Sequence, residues 1–293
     1  MKHKTHLIAA AVISMSLGAG QATAQGAPET NTLLAGDRLF SNGLPFDNLQ
    51  GSGTLSFSKL LITALNLAQV GLTPVPDASL QTSTSSNASG MVKYTSVSAS
   101  APVSYLTFTF DGLYANVLAV GTDGGLLQTT SKSSATDGAG SLSISDLKVD
   151  LTTKIIYADI VGANGVGTLD DHALWKFDTI SGPTSFDVSK TLLPPAQWGD
   201  MPRVSLSATN TISGLFLVNA ADIDNIFVKA LNLNNTGRSG INAVNTRTAT
   251  NTMGFGTITS TISVGTVPEP STYAMMGVGL VGLAVFGRRR EGR

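Results

Sequence analysis

Between residues 25 and 266 the chain has 17 acidic residues, of which 16 are Asp and only Glu29 is Glu. Asp competes for nearby backbone hydrogen bonds and favours turns, whereas Glu is at home inside helices. A segment so biased is rich in turns and poor in long helices. Thr, Ser, Val, Asn and Gly fill the space between those turns, giving short β-compatible runs. The fold class this implies is mainly β, a β-sandwich or related multistranded antiparallel domain.

The clearest local unit is residues 140–162, GSLSISDLKVDLTTKIIYADIVG. Leu147, Val149 and Leu151 alternate with Lys148 and Asp150, and Ile156, Ala158 and Ile160 alternate with Tyr157 and Asp159. This period of two predicts a hairpin turning near Thr152 and Thr153. Further strands are expected over 104–110, 115–120, 173–177, 203–208, 214–218, 226–233 and 255–264. One stretch, 59–70, places Leu60, Leu61, Ala64, Leu65, Leu67 and Ala68 at mixed helical spacing. It reads as one short helix against the sheet, and its apolar density also permits a buried strand. The polar runs 82–89, 131–140 and 232–251 are expected as surface loops.

The two ends read as export elements. Lys2 and Lys4 precede an apolar or small stretch over 7–20, and Ala22-Thr23-Ala24 supplies a small-residue cleavage site, so residues 1–24 form a signal peptide cut between Ala24 and Gln25. At the other end Pro268, Glu269 and Pro270 form an extended, exposed triplet, because proline fixes φ and disfavours helix in the residue before it. The uncharged run 273–286 would make a helix of only about 21 Å, short of the roughly 30 Å hydrocarbon core. Residues 271–287 reach the lower limit for a span, and Arg288, Arg289 and Arg290 would hold its end on the cytoplasmic side.

Taken in order, VPEPST, the Gly-rich apolar stretch and RRR resemble the PEP-CTERM sorting signal of Gram-negative bacteria. The resemblance covers about a tenth of the chain. It implies recognition near Pro268, Glu269 and Pro270 by an exosortase, a membrane cysteine transpeptidase-like enzyme, and an association with exopolysaccharide-producing, biofilm- or floc-forming bacteria. The expected organisation is a signal peptide at 1–24, an exported β-rich domain at 25–266 and a sorting and anchor segment at 267–293. Signal peptidase and exosortase are the processing partners, and the membrane is engaged at least transiently through the C-terminal helix.

Composition narrows what the domain does. The chain has no cysteine, so no disulfide holds the fold in the oxidising compartment to which it is sent. Residues 25–266 carry 12 Lys and Arg against 17 Asp and Glu, a net charge of -5, which speaks against nucleic acid as a partner. After the signal peptide the single histidine is His172. A Ser-His-Asp site would have to use it, with Asp170 and Asp171 beside it, but adjacent residues seldom share the geometry of a triad and no G-x-S-x-G elbow is present. The expectation is a turn histidine leading into the strand that holds Trp175.

Asp pairs suit glycoside hydrolysis only at a defined separation in a sugar-binding cleft, and the two tryptophans, Trp175 and Trp198, read as core or core-edge residues. Calcium, with its preference for hard oxygen donors, is the cofactor to consider; its weak candidates are Asp170 and Asp171, and Asp222 and Asp224. The glycine runs at 121–125 and 164–167 lack the lysine of a phosphate loop and read as turns. The expected role is therefore non-catalytic, a structural or adhesive component that meets exopolysaccharide or the envelope. A secreted polysaccharide- or calcium-binding module is the alternative, and an extracellular hydrolase stands behind it.

Overall fold

The structure, a computed structural model, describes residues 28–86, 92–131, 139–193 and 203–265. In chain order come β1 (Glu29–Leu34), β2 (Arg38–Ser41), β3 (Leu44–Asp47), β4 (Gln50–Phe57) and helix α1 (Lys59–Ala68). Then follow β5 (Val70–Pro74), β6 (Ser79–Ser86), β7 (Val92–Phe110), β8 (Tyr114–Thr122), β9 (Gly125–Thr130), β10 (Gly140–Asp150), β11 (Ile155–Gly162) and β12 (Gly167–Lys176). The short strands β13 (Thr179–Ser181), β14 (Ser185–Asp187), β15 (Leu192–Leu193) and β16 (Arg203–Val204) lead to β17 (Leu206–Ser213) and β18 (Phe216–Leu217). A π-helical turn, Ile223–Val228, runs into α2 (Lys229–Leu231), and α3 (Asn235–Asn245) precedes the final strand, β19 (Gly256–Val264).

The architecture depends on β7, whose 19 residues serve two sheets. Its first half pairs antiparallel with β6 and β4, and from β4 the order continues through β19 and β17 to β13. Its second half pairs with β1 and β8, continuing through β10, β11 and β12 to β18. Inward residues of the two sheets, Leu55 and Ile258 from one and Ile144 and Val149 from the other, pack in one apolar cluster, as in a sandwich. That cluster also takes the buried face of α1 and the rings of Trp175, Phe227 and Phe255, with Trp175 and Phe227 each 5.6 Å from Phe255. A second cluster centres on Phe46, whose ring lies 4.9 Å from Phe108 and 5.3 Å from Phe110.

The expected hairpin is β10 and β11, with Val149 opposite Ile156 and Ile144 opposite Ile160. Its turn lies where the Thr pair predicts: Asp150 Oδ1 accepts from the backbone N–H groups of Thr152 (2.8 Å) and Thr153 (3.1 Å). The glycine run at 164–167 closes the β11–β12 hairpin, with Asn164 and Gly165 both at positive φ, the signature of a type I′ turn. The run at 121–125 does something different. It separates β8 from β9, and both pair with β10, which shifts register at Asp146 so that Lys148–Asp150 meets β8 and 140–145 meets β9.

Several expectations are corrected. The stretch expected as a strand at 226–233 is helical through Leu231, because Ile223, Ile226, Phe227, Ala230 and Leu231 recur at i, i+3, i+4, i+7 and i+8 and all face the core. Within 232–251, expected as a loop, lies α3, capped by Asn234, whose side chain accepts from Gly237 N at 3.0 Å. Residues 82–86 are not loop but the outer part of β6, an exposed Ser/Thr edge strand on β7. Segment 59–70 contains the expected helix, with Leu61, Ile62, Ala64 and Leu65 buried.

Candidate functional site

The residues weighed as candidates for chemistry are dispersed, and His172, Asp171, Asp222 and Asp224 are engaged in pairings within the fold. His172 sits within β12 opposite Ala158, not in a turn, and its Nε2 lies 2.9 Å from Asp222 Oδ2. The neighbouring acids do not orient it: Asp171 meets Lys148 Nζ at 2.6 Å, and its backbone N–H donates to Asp159 at 2.8 Å. A bulge in β12 explains this: the register against β11 shifts between the Ala158–His172 and Ile160–Leu169 pairs, and Asp171 takes a φ of 50° that turns it away from His172. Asp222 is buried ahead of the π-helical turn, with Asn219 also approaching its carboxylate.

Asp224 forms a two-pronged pair with Arg238 of α3, at 2.6 and 2.7 Å. That guanidinium holds the Asp224 carboxyl below its ordinary range. Of the calcium candidates, Asp171, Asp222 and Asp224 are held in three separate pairings while Asp170 stays beside Asp171 on β12, and no group of three or more His, Cys, Asp or Glu able to hold a metal occurs among the described residues. Trp175 is buried as expected, while Trp198 lies outside the described residues.

Two features were not anticipated from the sequence. The first is the exit of the chain from the sheet. β19 lies between β17 and β4, and beyond Val264 the chain reaches Gly265, whose N–H donates to Asp47 O at 2.7 Å. Its carbonyl accepts from Asn48 Nδ2 at 3.2 Å. Gly265 has φ of 102°, and a Cβ there would stand 2.1 Å from Val204 O, so both the conformation and the space require glycine. The last described residue is therefore clamped beside the β3–β4 connection.

The second feature is a cavity of about 130 Å³ between the two sheets, reaching from the Phe46 cluster to the Trp175 cluster. Its lining is overwhelmingly apolar and includes no charged side chain. Trp175 and Asn210 both line it, and Trp175 Nε1 and Asn210 Oδ1 are buried without a hydrogen-bond partner among the described residues. Asn210 was legible in principle, because Leu206, Ala208, Asn210 and Ile212 alternate along β17 and so place an amide on the core face.

No helix among the described residues is long and apolar enough to cross a membrane. The signal peptidase site (Ala22, Ala24, Gln25), the triplet Pro268, Glu269 and Pro270, the expected C-terminal helix and the Arg288, Arg289 and Arg290 cluster all lie outside the described residues. No curated protein and no solved structure matches the chain, and the domain between the two ends belongs to no recognised family. Residues 266–290 match the family model described as the PEP-CTERM protein-sorting motif, beginning at the residue after the Gly265 clamp. The chain thus carries a PEP-CTERM protein-sorting motif, which implies export, recognition by an exosortase and membrane-linked sorting to the cell surface.

Proposed function

We propose that this protein is a non-catalytic structural or adhesive component of the cell envelope or exopolysaccharide matrix, of the kind that holds a biofilm or floc together. The observation that carries the reading is the join between domain and signal. A sorting motif at 266–290 follows at once on a strand clamped at Asp47, Asn48 and Gly265, so the whole β-rich body is the cargo that sorting delivers. The groups best suited to chemistry are tied into the fold, His172 to Asp222 and Asp224 to Arg238. The exposed Ser/Thr strand β6 gives the body a polar edge, rich in hydroxyls that hydrogen-bond to sugars as readily as to water.

The test is fractionation of the native host with and without its exosortase, beside a variant carrying Pro268→Ala, Glu269→Ala and Pro270→Ala. The expected result is that the protein is found in the matrix fraction only when both enzyme and triplet are intact. Equal delivery to the matrix in all three strains would remove the support for this reading.

A further inference from the structure

A sandwich core is normally packed as densely as an organic crystal, with few voids larger than a water molecule. Here the interior holds a cavity of about 130 Å³, close to the roughly 150 Å³ apolar cavity that accepts a benzene ring. A purely apolar void of that size would be a packing defect and nothing more. This one is lined by two polar side chains that the fold leaves unanswered: Trp175, 4% exposed, and Asn210, 9% exposed. Each unpaired buried polar atom gives up the hydration it had in the unfolded chain without replacement, so two in the same cavity weigh against a core with no other use for them.

We propose that this cavity is a binding site for a small, neutral, hydroxylated apolar molecule on the order of one six-membered ring. The apolar walls, formed by residues such as Leu55 and Ile258 on one sheet and Phe108 and Val120 on the other, take the hydrocarbon. The uncharged lining excludes ions, because a bare charge in such surroundings would have no counterpart. A hydroxyl is the group that fits the polar atoms: it accepts from the indole N–H of Trp175 and answers whichever end of the Asn210 amide faces it. Hydrocarbon of the same size fills the space but leaves both atoms unpaired. The site does not depend on the matrix role, since either could hold without the other.

The probes are benzyl alcohol and its hydrocarbon counterpart toluene, titrated into the full chain labelled with 15N at tryptophan. The two indole N–H signals are assigned by a Trp198→Phe variant. Benzyl alcohol should shift the Trp175 signal saturably. Asn210→Leu, which keeps the branched shape and the number of heavy atoms but removes the amide, should weaken benzyl alcohol about tenfold while leaving toluene within about twofold, one missing hydrogen bond being worth roughly that much. Ala208→Leu, which fills the cavity, should abolish both. The proposal is overturned if the alcohol gives no saturable shift at Trp175, or if Asn210→Leu binds it as tightly as the natural chain. The wild-type titration and the near-isosteric Asn210→Leu keep the test decisive even if Ala208→Leu fails to fold.

Discussion

Tyr105 shows how one side chain takes several roles in this fold. It stands opposite Gly121 across β7 and β8, and its ring occupies the space where a Cβ would be, 2.0 Å from Tyr105 Cε1. The glycine lets the ring lie flat on the sheet, and the ring covers backbone that glycine would leave open to water. Burial, then the nearby carboxylates of Asp171 and Asp123, push the phenol up to about 12. Because this value lies above the ordinary value of about 10, the folded state holds the proton more tightly than the unfolded chain. Stability from this group is therefore full below pH 10 and is lost as pH rises from about 10 to about 12. Near-ultraviolet titration of the five tyrosines should show one phenolate appearing near pH 12, and Tyr105→Phe should remove that step and flatten the alkaline loss of stability. Ionisation of all tyrosines near pH 10 would contradict the burial assigned to this ring.

Helix α1 owes its start to one residue. Ser58 Oγ accepts from Leu61 N at 3.1 Å, as an N-cap should, and donates to Gly254 O at 2.6 Å, so a buried hydroxyl ties the helix to the approach of β19. Ser58→Ala would remove the cap and leave the Gly254 carbonyl short of a partner, at a combined cost of about 2 kcal/mol. Chemical denaturation should show that loss as a lower midpoint with an unchanged slope; a change under about 0.5 kcal/mol would mean that water replaces the cap. This helix was legible because Leu61, Ala64 and Leu65 are dense enough to show a face. The helical turn through Ile223 to Leu231 was hidden only by starting the window at Ile226, where a β-branched run reads as strand; three residues earlier the i, i+3, i+4 pattern is plain. Helix α3 gives a fainter signal. Its buried residues are Gly237, Ile241 and Val244, and its Gly and Asn content follows loop composition more than helix propensity. For the site, alternation along β17 marks Asn210 as inward. Nothing local reveals that Trp175 lines the same cavity, because that depends on how two sheets far apart in sequence face each other.

The described residues form a pair of antiparallel sheets sharing β7, with the helices packed into the cluster around Trp175 and Phe255. Asp usage pointed to a β-rich body of this kind, and the absence of cysteine to one held by its apolar interior. Its destination is written outside that body, in a tail that begins where Gly265 is pinned to Asp47 and Asn48. The central claim is that this tail is a processed address for a folded cargo. It is tested by the intact mass of the protein recovered from the cell surface, with an exosortase-deficient strain alongside. The predicted mass from the parent strain lacks Met1 to Ala24 and everything C-terminal to the Pro268–Pro270 region, while the deficient strain keeps the tail. A surface protein whose mass still includes Arg293 in the parent strain would contradict the claim.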